Sequence, residues 1–135
     1  MENLSRNKQN EFAFFSIYNF LVLQEMNNTI NPVQILESVC DKKYDEIDIF
    51  IKEVLLKCVS NYAILKKTIE EHLINWTYER VSLINKAILM FGLTNALFMK
   101  DLDKRLIIDI SVSLAKKYGD NRDYGFINAI LDKTI

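Results

Sequence analysis

Glycine and proline are nearly missing from this chain, 3 and 1 in 135 residues. Few positions are therefore suited to tight hairpin turns, and long helices are favoured over short strands. Cysteine is scarce as well. Cys40 and Cys58 lie 18 positions apart with no CxxC pair, a spacing that no metal knuckle uses. Each falls among apolar neighbours, so both are expected to be buried reduced thiols, which suits a cytoplasmic protein. No apolar run approaches the roughly 18 residues that a membrane-spanning helix needs, and the polar, mixed-charge start of the chain is unlike a targeting peptide. Repeats, low-complexity tracts and Gly/Ser linkers are missing too, and the length fits one domain.

An excess of one charge is also lacking. The net charge is −1, but it is unevenly spread: residues 1–75 carry 8 basic and 11 acidic side chains, and residues 76–135 carry 9 and 7. A strongly basic nucleic-acid binder is excluded. Any binding to RNA would need a helper, because phosphate attraction alone would be weak. Lysine outnumbers arginine 13 to 4 beside abundant Ile and Asn, which reads as the codon bias of an AT-rich bacterial genome.

Catalytic chemistry has little to work with. The one histidine, His72, stands beside Glu70 and Glu71 and reads as a surface or capping residue. Neighbouring carboxylates on a helix point in different directions, so Glu70 and Glu71 form a solvated face rather than an acid–base pair. Gly92, Gly119 and Gly125 make neither GxGxxG nor GxxxxGK. No cluster has zinc or calcium spacing. The chain is expected to bind partners, not to transform a substrate.

Seven helices are predicted from the apolar spacing. The first runs from about Arg6 to Met26. Its apolar residues, Phe12 to Leu23, cover almost the whole circumference, which marks it as the central post. Asn31 should cap a second helix that has Pro32 at its first position. Asp45 is expected to cap the third, in which Ile47, Phe50, Ile51, Val54, Leu55 and Cys58 keep a 3–4 spacing. Ser60-Asn61 separates it from the fourth, carrying Ile64, Leu65, Ile69 and Leu73. Trp76 sits in the next connection, and the fifth helix spans about Arg80 to Phe98. Asp103 caps the sixth, which ends at Gly119 as a left-handed cap. Asp120 or Asn121 opens the seventh. A strand at Ile107–Ile110 conflicts with the helical spacing around it. The fold class is an all-α seven-helix bundle.

Binding candidates cluster at the chain ends. Arg6 and Lys8 lie where positive charge is unfavourable to a helix start, and amide ends there would add to an anion site. Lys116 and Lys117 complement the dipole of a helix C-terminus. Arg122 has no such role, and Tyr124 and Phe126 stand close by. A cation beside rings suits single-stranded RNA, charge for phosphate and a ring face for a base. Core packing of Phe126 and plain solvent exposure of Arg122 remain the competing readings.

Several segments resemble one family. Trp76-Thr-Tyr-Glu-Arg80-Val-Ser-Leu-Ile-Asn-Lys-Ala-Ile-Leu89 is similar to the W-x-x-x-R…D-(R/K)-A-I-L stretch of the NusB transcription antitermination family. Leu114-Ala-Lys-Lys-Tyr-Gly119 and Phe126-Ile-Asn-Ala-Ile-Leu-Asp132 resemble its L-A-K-x-(F/Y)-G and F-V-N-G-(V/I)-L-D, and Ala13 to Tyr18 its first helix. The resemblance implies two helical subdomains, about 1–75 and 76–135. It implies binding of a U-rich boxA element in ribosomal RNA leaders jointly with NusE, a small ribosomal-subunit protein, and loading onto RNA polymerase, with no reaction catalysed. It places Arg6, Lys8, Tyr18, Lys117, Arg122 and Phe126 on the RNA-binding face. Arg80 and Asn128 also match motif positions and read as structural, Arg80 opening the fifth helix and Asn128 bonding backbone in the seventh.

The sequence departs from the pattern in a basic N-terminal run thinned to two residues, in Asn85 before Lys86, in Thr94-Asn95, in Asp109-Ile110 and in Ala129 after Asn128. These changes bear on RNA affinity and partner contacts more than on fold. They motivate an alternative, a protein–protein or homo-oligomer module with weakened RNA binding, so that monomer and homodimer both stay open. NusB-like domains also precede ribosomal RNA methyltransferases, but no cofactor motif accompanies the domain here.

Overall fold

The computed structural model describes residues 4–120 and 122–135, and seven α-helices account for most of them. They are α1 (Arg6–Glu25), α2 (Pro32–Cys40), α3 (Ile49–Ser60), α4 (Tyr62–Glu71), α5 (Leu83–Thr94), α6 (Lys104–Tyr118) and α7 (Tyr124–Thr134). The expected fold class holds, and Ile107–Ile110 lies inside α6. Among the described residues no helix is long and apolar enough to cross a membrane.

Local chemistry sets most boundaries. Ser5 accepts from the backbone N–H of Lys8 at 3.2 Å and starts α1. Asn27, at φ 54°, turns the chain out of it, in the left-handed region that Asn tolerates better than most residues. Asn31 caps α2 through Gln34 N–H at 3.2 Å, with Pro32 at the first position. Asn61 joins α3 to α4 and donates its amide to the Lys57 carbonyl at 2.8 Å. His72 ends α4 with Nδ1 2.8 Å from the Thr68 carbonyl, the capping role expected of it. Asp103 caps α6 through Leu106 N–H at 2.8 Å.

Four expectations about helix ends need correction. Asp45 lies in a one-turn segment, Tyr44–Glu46, and Asp48 is the residue that precedes α3. The fifth helix begins after Ser82, whose hydroxyl accepts from Asn85 N–H at 3.2 Å; Arg80 belongs to a separate turn, Tyr78–Arg80. Gly119 is extended, not left-handed, at φ −96° and ψ −173°; a Cβ there would sit 2.9 Å from the Ala115 carbonyl oxygen. Glycine is thus needed for close approach to the end of α6. The seventh helix starts after Asp123, while Asp120 accepts from Arg122 N–H at 3.1 Å within the preceding turn. Asn121, the other expected start, lies outside the described residues.

The helix enclosed on every side is α5, not α1. All residues from Asn85 to Asn95 are buried, and α1, α3, α4, α6 and α7 pack around them. In α1 no residue from Gln9 to Gln24 is exposed, but most are only half-buried. At its far end α5 widens into a π-helical turn, Asn95–Met99, closed by Lys100 at φ 60°. Lys57 of α3 donates to the Phe98 carbonyl there at 2.9 Å. The predicted apolar set of α3 is buried throughout, as are Leu65 and Ile69 of α4, whereas Ile64 is 55% exposed. Cys58 is buried and free, and burial pushes its thiol up to about 12; Cys40 is half-buried and free.

Phe91 is the test of α5 as the post. Phe91→Ala should lower the unfolding free energy by about 3–5 kcal/mol, and Ile64→Ala should change it by less than about 0.5 kcal/mol. Urea denaturation measures both, and similar costs for the two would contradict the assignment.

Candidate nucleic-acid interface

The two ends of the chain are clasped by one carboxylate. Glu11, in the first half of α1, takes both Lys117 Nζ contacts, at 3.2 and 3.1 Å, and a hydrogen bond donated by the Tyr118 hydroxyl. Lys8 lies 3.9 Å from the same group. Behind it the Tyr118 ring packs against Phe14 and Phe15, with centroids 5.5 and 5.2 Å away. The Tyr118 hydrogen bond, helped by Lys117, holds the Glu11 carboxyl below the usual carboxylate range against the opposing effect of burial. The same contact with Glu11 raises Lys117. Lys8 and Lys117, from opposite ends of the sequence, are therefore brought together, and both stay largely open to solvent.

Beyond the clasp, the α6–α7 turn carries cations beside rings. Lys116 Nζ stands 4.9 Å from the centroid of Tyr124, itself 45% exposed. The Arg122 side chain is 90% exposed, with Nε 3.6 Å from Asp120. Asp120 accepts from the Arg122 backbone N–H, which together with the guanidinium keeps its carboxyl below the ordinary range. A cation at the start of α7 is thus offset by a carboxylate next to it, which the sequence reading did not anticipate.

Phe126 packs against the edge of the core. It is half-buried and lines a groove of about 470 Å³ with Trp76, Arg80, Asn85 and Asp123. Asn75, at φ 56°, bends the chain so that Trp76 projects, 46% exposed. Arg80 lays its guanidinium 4.8 Å over the indole, an attractive cation–π arrangement. Asn85 is only 6% exposed, and its Oδ1 bonds to nothing among the described residues. Arg80, expected to open the fifth helix, instead stacks on Trp76 from the turn before that helix. Asn128 is exposed and makes no side-chain hydrogen bond among the described residues, so its expected backbone bond is not found.

The remaining two candidates stand apart. Arg6 lies 4.3 Å over the Phe50 ring and fastens the start of α1 to α3. Tyr18 is half-buried, two helical turns along α1 from Glu11 and on the same side. Among the described residues no group of three or more His, Cys, Asp or Glu could hold a metal. The surface offers cations, flat rings and hydrogen-bonding amides.

Comparison with known proteins bears on the family and the fold. The model of the NusB family matches residues 7–135. A transcription antitermination protein NusB of Treponema denticola is 34% identical over 84 residues, which span 62% of this chain and 62% of that protein. Among solved structures, NusB of T. maritima superposes with a TM-score of 0.82 at 23% identity, covering 98% of this chain and 92% of that one. NusB in a complex of the antitermination factors NusB and NusE with double-stranded RNA gives 0.80 at 21% identity, covering 96% and 94%.

The clasp predicts a pH signature. A depressed folded-state pKa at Glu11 contributes stability above the ordinary glutamate value of about 4.3, and that contribution is lost as pH falls through the lowered value. Glu11→Gln should therefore be less stable than the parent at neutral pH, with the gap closing in acid. Thermal melts from pH 7 downward measure it, and a gap independent of pH would contradict the clasp.

Proposed function

The chain belongs to the NusB family, and from that premise we propose that it acts as a transcription antitermination factor that binds a boxA-type single-stranded RNA together with a NusE-type ribosomal protein. The observation that carries this reading is the pairing of cations with exposed aromatic residues, Arg80 on Trp76 and Lys116 on Tyr124, beside Arg122 and Phe126. Stacked bases need the rings and phosphates need the charge. Lys8 and Lys117 extend the charged track from the clasp, and Arg6 and Tyr18 flank it on α1. In this reading Arg6, Lys8, Tyr18, Lys117, Arg122 and Phe126 contact RNA, joined by Trp76, Arg80 and Tyr124.

A net charge of −1 and cations already opposed by Glu11 and Asp120 keep affinity for RNA alone low. The protein partner raises it, and the pair then engages RNA polymerase. The reading assigns no reaction to the chain, divides it into subdomains of about 1–75 and 76–135, and has it work in the cytoplasm. A module of self-association is the second reading. In its favour, Ile49 and Leu56 are exposed two turns apart on one side of α3.

Fluorescence anisotropy with boxA-type RNA tests the proposal. Binding should be weak alone and strengthen with NusE. With about four phosphate contacts, log affinity should fall with log salt at a slope of roughly −3. Trp76→Ala should cost about 1–3 kcal/mol of binding. No preference over scrambled RNA with NusE present would overturn the reading and leave the self-association module.

A further inference from the structure

Two opposite charges line the groove of Trp76 and Phe126, and among the described residues neither has an ionic partner. One is Arg80, already laid 4.8 Å over the indole. The other is Asp123, half-buried at the start of α7. The Asp123 backbone opens that helix, its carbonyl accepting from Ile127 N–H at 3.0 Å. A carboxylate at this position usually takes one of the unpaired amides of the first turn. Among the described residues that of Asp123 makes no capping bond. It is left as a free acceptor beside two aromatic side chains and a cation.

These groups narrow the occupant by exclusion. A lone phosphate would meet the Asp123 carboxylate. An arginine or lysine side chain would meet the like charge of Arg80, which already lies over the indole. A flat, uncharged ring with donors on one edge and a phosphate attached satisfies all of them, and that is a nucleotide: base against the aromatic residues, donor edge on Asp123, phosphate toward Arg80. An ionised carboxylate only accepts, through two oxygens. Of the four RNA bases, guanine alone sets two donors side by side on its pairing edge, a ring N–H and the amino group. Uracil has a single N–H between two carbonyls. Adenine and cytosine place their amino group beside a bare ring nitrogen, so each turns an acceptor toward the carboxylate. We infer that this groove is a guanine-selective subsite in which Asp123 reads the base. The inference deepens, and rests on, the RNA-binding reading: rings stack bases of any kind, whereas this carboxylate would fix the register of a single strand at one guanine.

The test uses the whole protein and the monophosphates of guanosine, inosine and uridine, which carry the same phosphate. The chain has one tryptophan, so the indole N–H resonance of Trp76 in NMR reports on this groove alone. At constant ionic strength, guanosine monophosphate should shift that resonance saturably, together with the Phe126 ring. Uridine monophosphate should bind about tenfold more weakly, the discrimination expected of one bidentate contact. Inosine monophosphate keeps the ring N–H but lacks the amino group, and it should also bind more weakly than guanosine; that comparison needs no variant. Asp123→Ser keeps a residue suited to a helix start and should bring guanosine down to the uridine level. Equal affinity for guanosine and uridine or for guanosine and inosine, shifts centred elsewhere, no shift, or a guanine preference that survives in Asp123→Ser would overturn the proposal. RNA binding with NusE but without guanine preference in this groove would remove the subsite alone. Guanine binding here without any preference for boxA-type RNA would remove the functional reading alone.

Discussion

From Asn85 to Asn95, α5 has no side turned to solvent, and this enclosure orders the rest of the molecule. A buried helix must be covered all round, so α1, α3, α4, α6 and α7 are drawn against it. Their outer faces and their ends are what remains for binding. The enclosed stretch also holds polar groups: Thr94 and Asn95 are buried, and Lys86 reaches Glu25 at 3.7 Å and the Tyr78 ring at 4.4 Å. Lys86 thus ties the end of α1 to the start of α5. That same start emerges at the groove of Trp76, Arg80 and Phe126, so the packing of the core sets where the aromatic surface stands.

In the proposed reading, electrostatics decide how strongly that surface binds. Lys8, Lys117 and Arg122 are not free charges. Glu11 opposes Lys8 and Lys117, and Asp120 opposes Arg122. Exposed pairs of this kind are worth little to stability, but each shares its cation with a carboxylate that any phosphate must compete with. The arrangement suits a surface that orients RNA through rings and amides and takes part of its charge from a partner.

Much of the scaffold was legible because local chemistry sets it. The Asn31-Pro32 start, the Asp103 cap and the 3–4 spacing of α3 each act within a turn of the chain, and each was found where expected. The central post was misplaced because α1 is rich in phenylalanine, whereas α5 mixes Asn, Lys and Thr into its buried stretch, and only tertiary wrapping hides them. Gly119 carried no local sign that it answers a close approach to Ala115. Asp120 and Asp123 are alike in sequence, and only the turn geometry assigns one to the turn and the other to α7. At the interface the residue types were readable, but their pairing was not. Glu11 with Lys117 spans most of the chain, and Arg80 over Trp76 depends on the bend at Asn75.

The central claim is that the clasped chain ends and the connection around Trp76 form one binding face on the α5 scaffold. Hydrogen–deuterium exchange of the protein, free and bound to boxA-type RNA with NusE, tests it most directly. Slowed exchange should appear together at the start of α1, through the α6–α7 turn and in residues 74–82, with α2 unchanged. Protection confined to α2, α3 and α4, with those three segments unaltered, would contradict the account.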